Sequence, residues 1–380
     1  MTSGRTLATA YDGTDTARRV EEIEAELPAA VTAELDRFLA ARREVCADLA
    51  PEFVDAVDDL SAMALGGGKR LRPTFAWWGW RAADGPTAGR TSPDVVLRVV
   101  SALELVQACA LVHDDLIDDS DLRRGIPTVH ARWTARHRER GWIGEPDRLG
   151  AAIAILVGDL ALAWSDDMLR GAGLDATTLG RAAPVWDAMR TEMLAGQFLD
   201  VVGHATDLAT PEGVLRISRY KTAAYTIERP LHLGAAIAGA DDALVGALRR
   251  FGTDLGIAFQ LRDDLLGVFG DPAVTGKPAG DDLREGKRTL LVALARRHPD
   301  PAAAAPVEQA LGKQDLTPAE VDAARSALVD LGVVAQVEER IDTLTASALD
   351  ALDSGDAVEL HPDARERLTT LAVAATRRTF

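Results

Sequence analysis

Apolar residues recur at three- and four-residue intervals along almost the whole chain, and no long run alternates apolar with polar positions. That period marks helices with one buried stripe, whereas alternation would mark strands. The spacing predicts helices over 17–50 (bent at Pro28), 52–64, 73–84, 93–119, 148–170, 176–202, 211–239 and 241–269. Further helices are predicted over 284–298, 317–331, 334–352 and 361–379. Two segments lack a polar face. Val95 to Ile117 is apolar nearly all round, as is Val245 to Val268 apart from its Arg and Asp residues, so both are expected to be enclosed by protein. Loops rich in Gly, Pro and Asp are placed at 84–92, 140–148 and 270–282. Residues 1–16 lack the pattern and are expected to be disordered. With no repeat or linker in the remainder, residues 17–380 read as a single-domain, all-α helical bundle.

Composition narrows the function. A net charge of −17 and no dense basic run argue against a nucleic-acid partner. The two cysteines, Cys46 and Cys109, are far apart, and a reducing cytoplasm is the expected location. The N-terminal residues have no apolar core of signal-peptide type. The longest apolar stretch is broken by Arg98 and Glu104, so no integral membrane segment is expected.

Against this background, two sets of paired aspartates are out of place. One is Asp114-Asp115-Leu116-Ile117-Asp118, straight after ALVH; the other is Asp263-Asp264 in IAFQLRDDLLGVFGD. Ionised carboxylates are costly among Leu, Val and Ala unless a cation meets them. Helix positions i and i+4 share a face, so Asp114 and Asp118 can converge. Mg²⁺ takes hard oxygen ligands, commonly one or two carboxylates with substrate phosphates and waters. A solvated acidic helix end would explain Asp119 and Asp121, but it explains Asp114 poorly.

Cations accompany both pairs. Arg123 and Arg124 follow the first, while Gly276-Lys277 and Gly286-Lys287 place two ammonium groups on glycine-flexed loops after the second. A third element, Gly66-Gly67-Gly68-Lys69-Arg70-Leu71-Arg72-Pro73, leads a basic glycine turn into a helix, where N–H groups and guanidinium forks can approach phosphate. Taken singly, each lysine or turn reads as ordinary surface. Together they describe a polyanion held between metal ions.

These motifs, with MLAGQFLD, RYKTA and GKPAGDDLREGKRTL in order over about residues 60 to 290, resemble the trans-isoprenyl diphosphate synthases, or polyprenyl synthetases. The resemblance implies an all-α bundle around a deep central cavity, usually a homodimer, with the aspartate motifs facing each other across the mouth. It implies that Asp114, Asp118 and Asp263 are the chief ligands of Mg²⁺, three ions per active site, supported by Asp115 and Asp264, with Asp200 helping through water. An allylic diphosphate would be held by the metals with Arg123, Lys221, Thr222, Gln260, Lys277 and Lys287. Isopentenyl diphosphate would lie on Lys69, Arg72, Arg124 and Gln107, the last where many relatives carry His. Among these, Asp114, Asp118, Asp263, Lys221 and Lys277 would act on the reacting groups. Read without the family, Gln107 is a buried polar residue and Lys221 a helix-surface lysine.

The implied reaction is condensation: the allylic C–O bond breaks with charge gathering on the diphosphate, and the isopentenyl double bond attacks. Two departures stand out. Gly267 occupies the place where the family often has a third aspartate, so weaker or altered metal binding is expected; Asp271 is not expected to replace it. Glu228 and Arg229 put charges into a helix expected to be buried, where an internal ion pair is the simplest account, and Pro230 would kink that helix.

Product length is expected to depend on positions one turn before Asp114. Cys109 and Ala110 are small, so the tunnel should run on to Val106 and Leu103, about 5 Å further, which favours the twenty-carbon geranylgeranyl diphosphate. Farnesyl diphosphate is the alternative if Phe75, Trp77, Trp78 or Phe198 closes the tunnel; longer products would need every deeper position to be small. A non-catalytic subunit of a heteromeric synthase is the alternative of another class, but such chains usually lose one motif and this one keeps both. A terpene cyclase would carry an Asn/Ser/Glu second metal motif and would not need the basic turn.

Overall fold

In a computed structural model, residues 13–88, 91–206, 210–270, 280–353 and 359–377 are described. The chain opens with α1 (Gly13–Ala25), α2 (Leu27–Leu49), α3 (Val54–Leu65), α4 (Leu71–Ala82), the short α5 (Gly85–Ala88) and α6 (Pro93–Ile117). A minimal antiparallel hairpin, β1 (Leu122–Arg123) with β2 (Ile126–Pro127), leads to α7 (Val129–Arg140), α8 (Pro146–Arg170), α9 (Ala176–Thr206) and α10 (Pro211–Ile217). A π-helix (Ser218–Glu228), α11 (Arg229–Ala238) and α12 (Asp242–Phe269) follow. Helices Asp281–Arg284, Leu290–Arg296, Pro301–Ala310, Pro318–Asp330, Val333–Leu352 and Pro362–Thr376 complete the bundle.

Several predicted boundaries move for identifiable reasons. The first helix begins at Gly13, within the stretch expected to be irregular. The predicted 17–50 helix breaks at Glu26 (φ −140°, ψ 49°), because Pro28 sits in the first turn of α2, where its missing N–H costs nothing. The predicted 284–298 helix splits around Gly286, whose φ of 72° is left-handed. Helix α7 escaped prediction because its buried side is Val129, His130, Trp133, Thr134 and His137, a helical period written mostly in polar residues. Helix Pro301–Ala310 was missed as well; Asp300 caps it by accepting from Ala302 N at 3.0 Å.

The two all-round apolar segments are the core helices, as expected. α6 packs against α2, α4 and α8, and α12 against the π-helix and Val333–Leu352. Two apolar clusters share α12. Leu244, Leu248, Phe251 and Leu255 belong to the one built on α6, whereas Ala258, Leu261, Leu265 and Val268 belong to the one formed with the C-terminal helices. By length and composition α6 and α8 could each cross a bilayer, but 72% of the apolar window of α6 is buried within the bundle. Phe75 and Trp77 are fully buried and Trp78 nearly so, so α4 spends its aromatics on the core.

Helices α4 and α11 cross in direct backbone contact. A Cβ on Gly234 would stand 1.9 Å from Ala76 O and 2.5 Å from Trp80 N, and one on Gly79 would stand 2.3 Å from Leu231 O. Real Cβ atoms never come so close, so a side chain at either site must part the helices. Gly234→Ala is therefore expected to cost about 2 kcal/mol or more in urea unfolding. Gly180→Ala on α9, where a Cβ meets nothing within 4 Å, should be neutral or stabilise by up to ~1 kcal/mol.

Candidate active site

Three elements meet at Asp114, in the last turn of α6. Its Oδ1 accepts hydrogen bonds from Lys221 Nζ of the π-helix at 3.0 Å and from Gln197 Nε2 of α9 at 2.9 Å. Lys221 Nζ also donates to Asp200 Oδ2 at 2.6 Å. Burial by itself would raise the Asp114 pKa, but Lys221, Gln197 and Arg123 outweigh it and hold the carboxyl below its usual range. Burial likewise works against the Lys221 ammonium, and Asp114 and Asp200 overcome it, raising its pKa.

Asp118 ends α6, its N–H on Asp114 O at 2.8 Å. Asp118 is an exposed residue. Partial loss of water there, and then the charge of Asp114, push its pKa up to about 6 against the pull of Lys221 and Lys287. Asp115 points the other way. It is 2% exposed, and its Oδ1 accepts from Arg123 Nε at 2.7 Å and Nη2 at 2.6 Å. Asp115 thus fixes Arg123 beside the first motif.

The second motif divides in the same way. Asp263 is exposed on α12, whereas Asp264 is buried and accepts from Gln260 Nε2 at 2.7 Å. Burial, and then nearby Asp282, push the Asp264 carboxyl up to about 8. Asp264 therefore faces protein. Lys287 Nζ donates to Asp282 Oδ1 at 3.1 Å and pairs with Glu285 Oε2 at 2.6 Å. Its positive charge lowers the pKa of both Asp118 and Asp264. Thr222 follows Lys221, half-buried; Lys277 lies outside the described residues.

The second group of expected residues converges in part. Arg72 Nη2 donates to Thr226 Oγ1 at 2.9 Å, and its guanidinium lies 4.2 Å from the Tyr225 ring centroid. The Tyr225 hydroxyl in turn donates to Gln107 Oε1 at 3.0 Å. Arg124, held at φ 54°, reaches the glycine turn: its Nη1 donates to Gly66 O at 3.4 Å, and its guanidinium faces Gly67 and Gly68. Lys69 is exposed and lines a cavity of about 280 Å³ together with Phe75, Trp78, Phe259 and Arg367, a lining that includes none of the aspartates. The middle cation of the turn serves the fold. Arg70 is buried and donates to Glu104 Oε2 at 2.6 Å and Ala64 O at 2.8 Å, tying α4 to α6.

Gln197, Tyr225 and Thr226 were not picked from the sequence. A signal existed: Tyr225 and Thr226 lie four residues after Lys221 and Thr222, and Gln197 three before Asp200, so polar residues repeat at helical spacing in apolar surroundings. The charges at 228 and 229 do not pair with each other. Glu228 accepts from Arg249 Nη2 at 2.9 Å and Arg229 Nε donates to Glu192 at 2.8 Å. Pro230 stands in the first turn of α11, where the π-helix ends.

Asp114 and Asp118 thus offer hard carboxylate oxygens with Arg123, Lys221 and Lys287 acting on them, and Asp263 offers another on α12. Among the described residues no three carboxylate, His or Cys side chains converge closely enough to hold an ion unaided. That suits Mg²⁺, which is usually held by few protein carboxylates and completed by substrate phosphates. Comparison with known proteins agrees. A family model described as polyprenyl synthetase matches residues 55–328. A crystal structure of geranylgeranyl pyrophosphate synthase from Corynebacterium glutamicum, complexed with isoprenyl diphosphate and magnesium, is 46% identical over 93% of this chain and 98% of its own, with a TM-score of 0.88. The geranylgeranyl diphosphate synthase of Mycobacterium tuberculosis is 36% identical, covering 80% of this chain and 81% of that relative. The geranylfarnesyl diphosphate synthase of Aeropyrum pernix is 33% identical, covering 77% and 85%. The chain belongs to the polyprenyl synthetase family and is an isoprenyl diphosphate synthase.

Arg70 and Arg72 should separate fold from site. Arg70→Met leaves the Glu104 carboxylate buried without its cation and should cost about 3 kcal/mol or more in chemical denaturation. Arg72→Met should stay within ~1 kcal/mol of wild type while raising the KM for isopentenyl diphosphate about tenfold or more, as expected for a lost charge-assisted contact.

Proposed function

We propose that this protein condenses isopentenyl diphosphate with an allylic diphosphate in a Mg²⁺-dependent reaction, releases geranylgeranyl diphosphate as its main product and works as a homodimer. One observation carries the reading: Lys221, Gln197 and Asp114 are locked together where α6, α9 and the π-helix meet, with Arg123 and Lys287 beside them. When bound through Asp114, Asp118 and Asp263, Mg²⁺ supplies positive charge to the leaving diphosphate. Lys221, Arg123 and Lys287 add theirs, so the C–O electron pair is received by an anion surrounded by cations. Arg72, Arg124, Lys69 and Gln107 hold isopentenyl diphosphate, whose π electrons form the new C–C bond. The proton then lost from its C2 passes to the diphosphate, since His113 is turned to α8: its Nε2 lies 3.3 Å from Ile155 O. Exposed Ile155 and Leu156 of α8, with Leu194, Phe198 and Val201 of α9, support pairing of two copies.

Product length rests on the relatives' names and on the face of α6. Gln107, Ala110 and Asp114 share one face, and all three are only partly buried. Cys109 and Val106 are fully enclosed by neighbouring helices, and Cys109 Sγ lies 3.7 Å from His113 Nδ1. A small residue on the open face favours growth past Ala110 to twenty carbons. Farnesyl and geranylfarnesyl diphosphate are the neighbouring alternatives.

Asp114→Ala and Asp263→Ala should each lower kcat by about a hundredfold or more with the circular dichroism spectrum unchanged, and EDTA should stop turnover; full activity in either variant defeats the proposal. Product analysis with five-, ten- and fifteen-carbon primers should give the twenty-carbon diphosphate from wild type and fifteen carbons or fewer from Ala110→Phe. Cys109→Phe should act mainly by overpacking, lowering Tm. Unchanged chain length in Ala110→Phe would remove Ala110 from the tunnel.

A further inference from the structure

Gly267 stands four residues after Asp263 on α12, on the same face and one turn away. The space its side chain would fill is already occupied. A Cβ built on Gly267 would stand 1.9 Å from Asp282 Oδ2, 2.3 Å from its Cγ and 2.9 Å from its Oδ1. Asp282 belongs to the element after the 271–279 segment and is only 6% exposed. Its Oδ1 accepts from Lys287 Nζ at 3.1 Å, and its carbonyl accepts from Lys287 N–H at 2.9 Å. Asp282 thus meets both ends of Lys287, whose ammonium also pairs with Glu285 Oε2 at 2.6 Å.

We infer that Asp282 is a positioning residue that supplies, from the following loop, the carboxylate absent from α12 at Gly267, and that from this place it holds Lys287 toward the diphosphate site. The glycine and the aspartate are then one device. Any side chain at 267 expels the Asp282 carboxylate, and loss of Asp282 leaves Glu285 as the ammonium's partner and lets Lys287 turn away from its present place. The effect on diphosphate binding rests on the reaction proposed above, whereas coupling between the two positions, measured without substrate, does not.

The test is a double-mutant cycle on the full chain with Gly267→Asp, Asp282→Ala and the pair together, adding Asp282→Asn as the shape-conserving variant. Tm is measured on the protein alone, and binding of inorganic pyrophosphate with Mg²⁺ by calorimetry. Each single substitution should lower Tm and weaken binding about tenfold or more, as for a lost charge-assisted contact. The double variant, with its carboxylate back on α12, should exceed both singles in Tm and bind within about threefold of wild type, a non-additivity expected only of residues in contact. Asp282→Asn should keep most of the Tm yet bind as weakly as Asp282→Ala. Additive effects in both measurements, or wild-type binding by Asp282→Asn, would overturn the assignment.

Discussion

A carboxylate set at the end of an apolar helix must be met by positive charge, and here the ammonium of Lys221 meets two of them. Asp114 on α6 and Asp200 on α9 both lie within hydrogen-bonding distance of it. Without that cation an ionised Asp114 would carry a desolvation cost of several kcal/mol beside the core. With it, three helices are tied at one point and the carboxyl stays ionised. The oxygens of a diphosphate offer Lys221 the same kind of partner as these carboxylates, so the group that secures the site is also suited to receive substrate.

The reach of Lys221 depends on an uncommon piece of backbone. Residues 218–228 wind as a π-helix, and the Arg229 N–H donates to Ala224 O, five residues back. Glycines make room for it on both sides. A Cβ on Gly196 of α9 would stand 2.2 Å from Lys221 N, and one on Gly256 of α12 would stand 2.5 Å from the Ala223 Cβ. Clamped in this way, the wide turn delivers Lys221 to Asp114, Tyr225 to Gln107 and Thr226 to Arg72. One short segment thereby serves both groups of cations.

Adjacent residues of like charge divide their duties throughout the site. Neighbours on a helix are rotated by about 100°, so one of each pair faces the cleft and the other faces protein. Asp114 and Asp118 are less buried while Asp115 fixes Arg123, and Asp263 is exposed while Asp264 takes the Gln260 amide. Two positions apart at the start of α4, Arg70 pairs with Glu104 and Arg72 stacks on Tyr225.

The sequence by itself determined the helical class, the two enclosed helices and the residue types of the site. These follow from local periodicity and from the cost of placing charge among apolar neighbours, and both are properties of short stretches. Tertiary structure alone decided which aspartate of each pair faces the cleft, that Lys221 lies between Asp114 and Asp200, and that Gln197 and Tyr225 belong to the network. It also decided that Glu228 and Arg229 turn to different helices and that Asp282 fills the space beside Gly267. Most of these depend on residues from different helices coming within about 3 Å of each other, a distance set by how closely the helices pack. Helix α7, whose buried face is His, Thr and Trp, shows the same limit: its period is helical, but only its packing against α8 shows that those polar residues are inside.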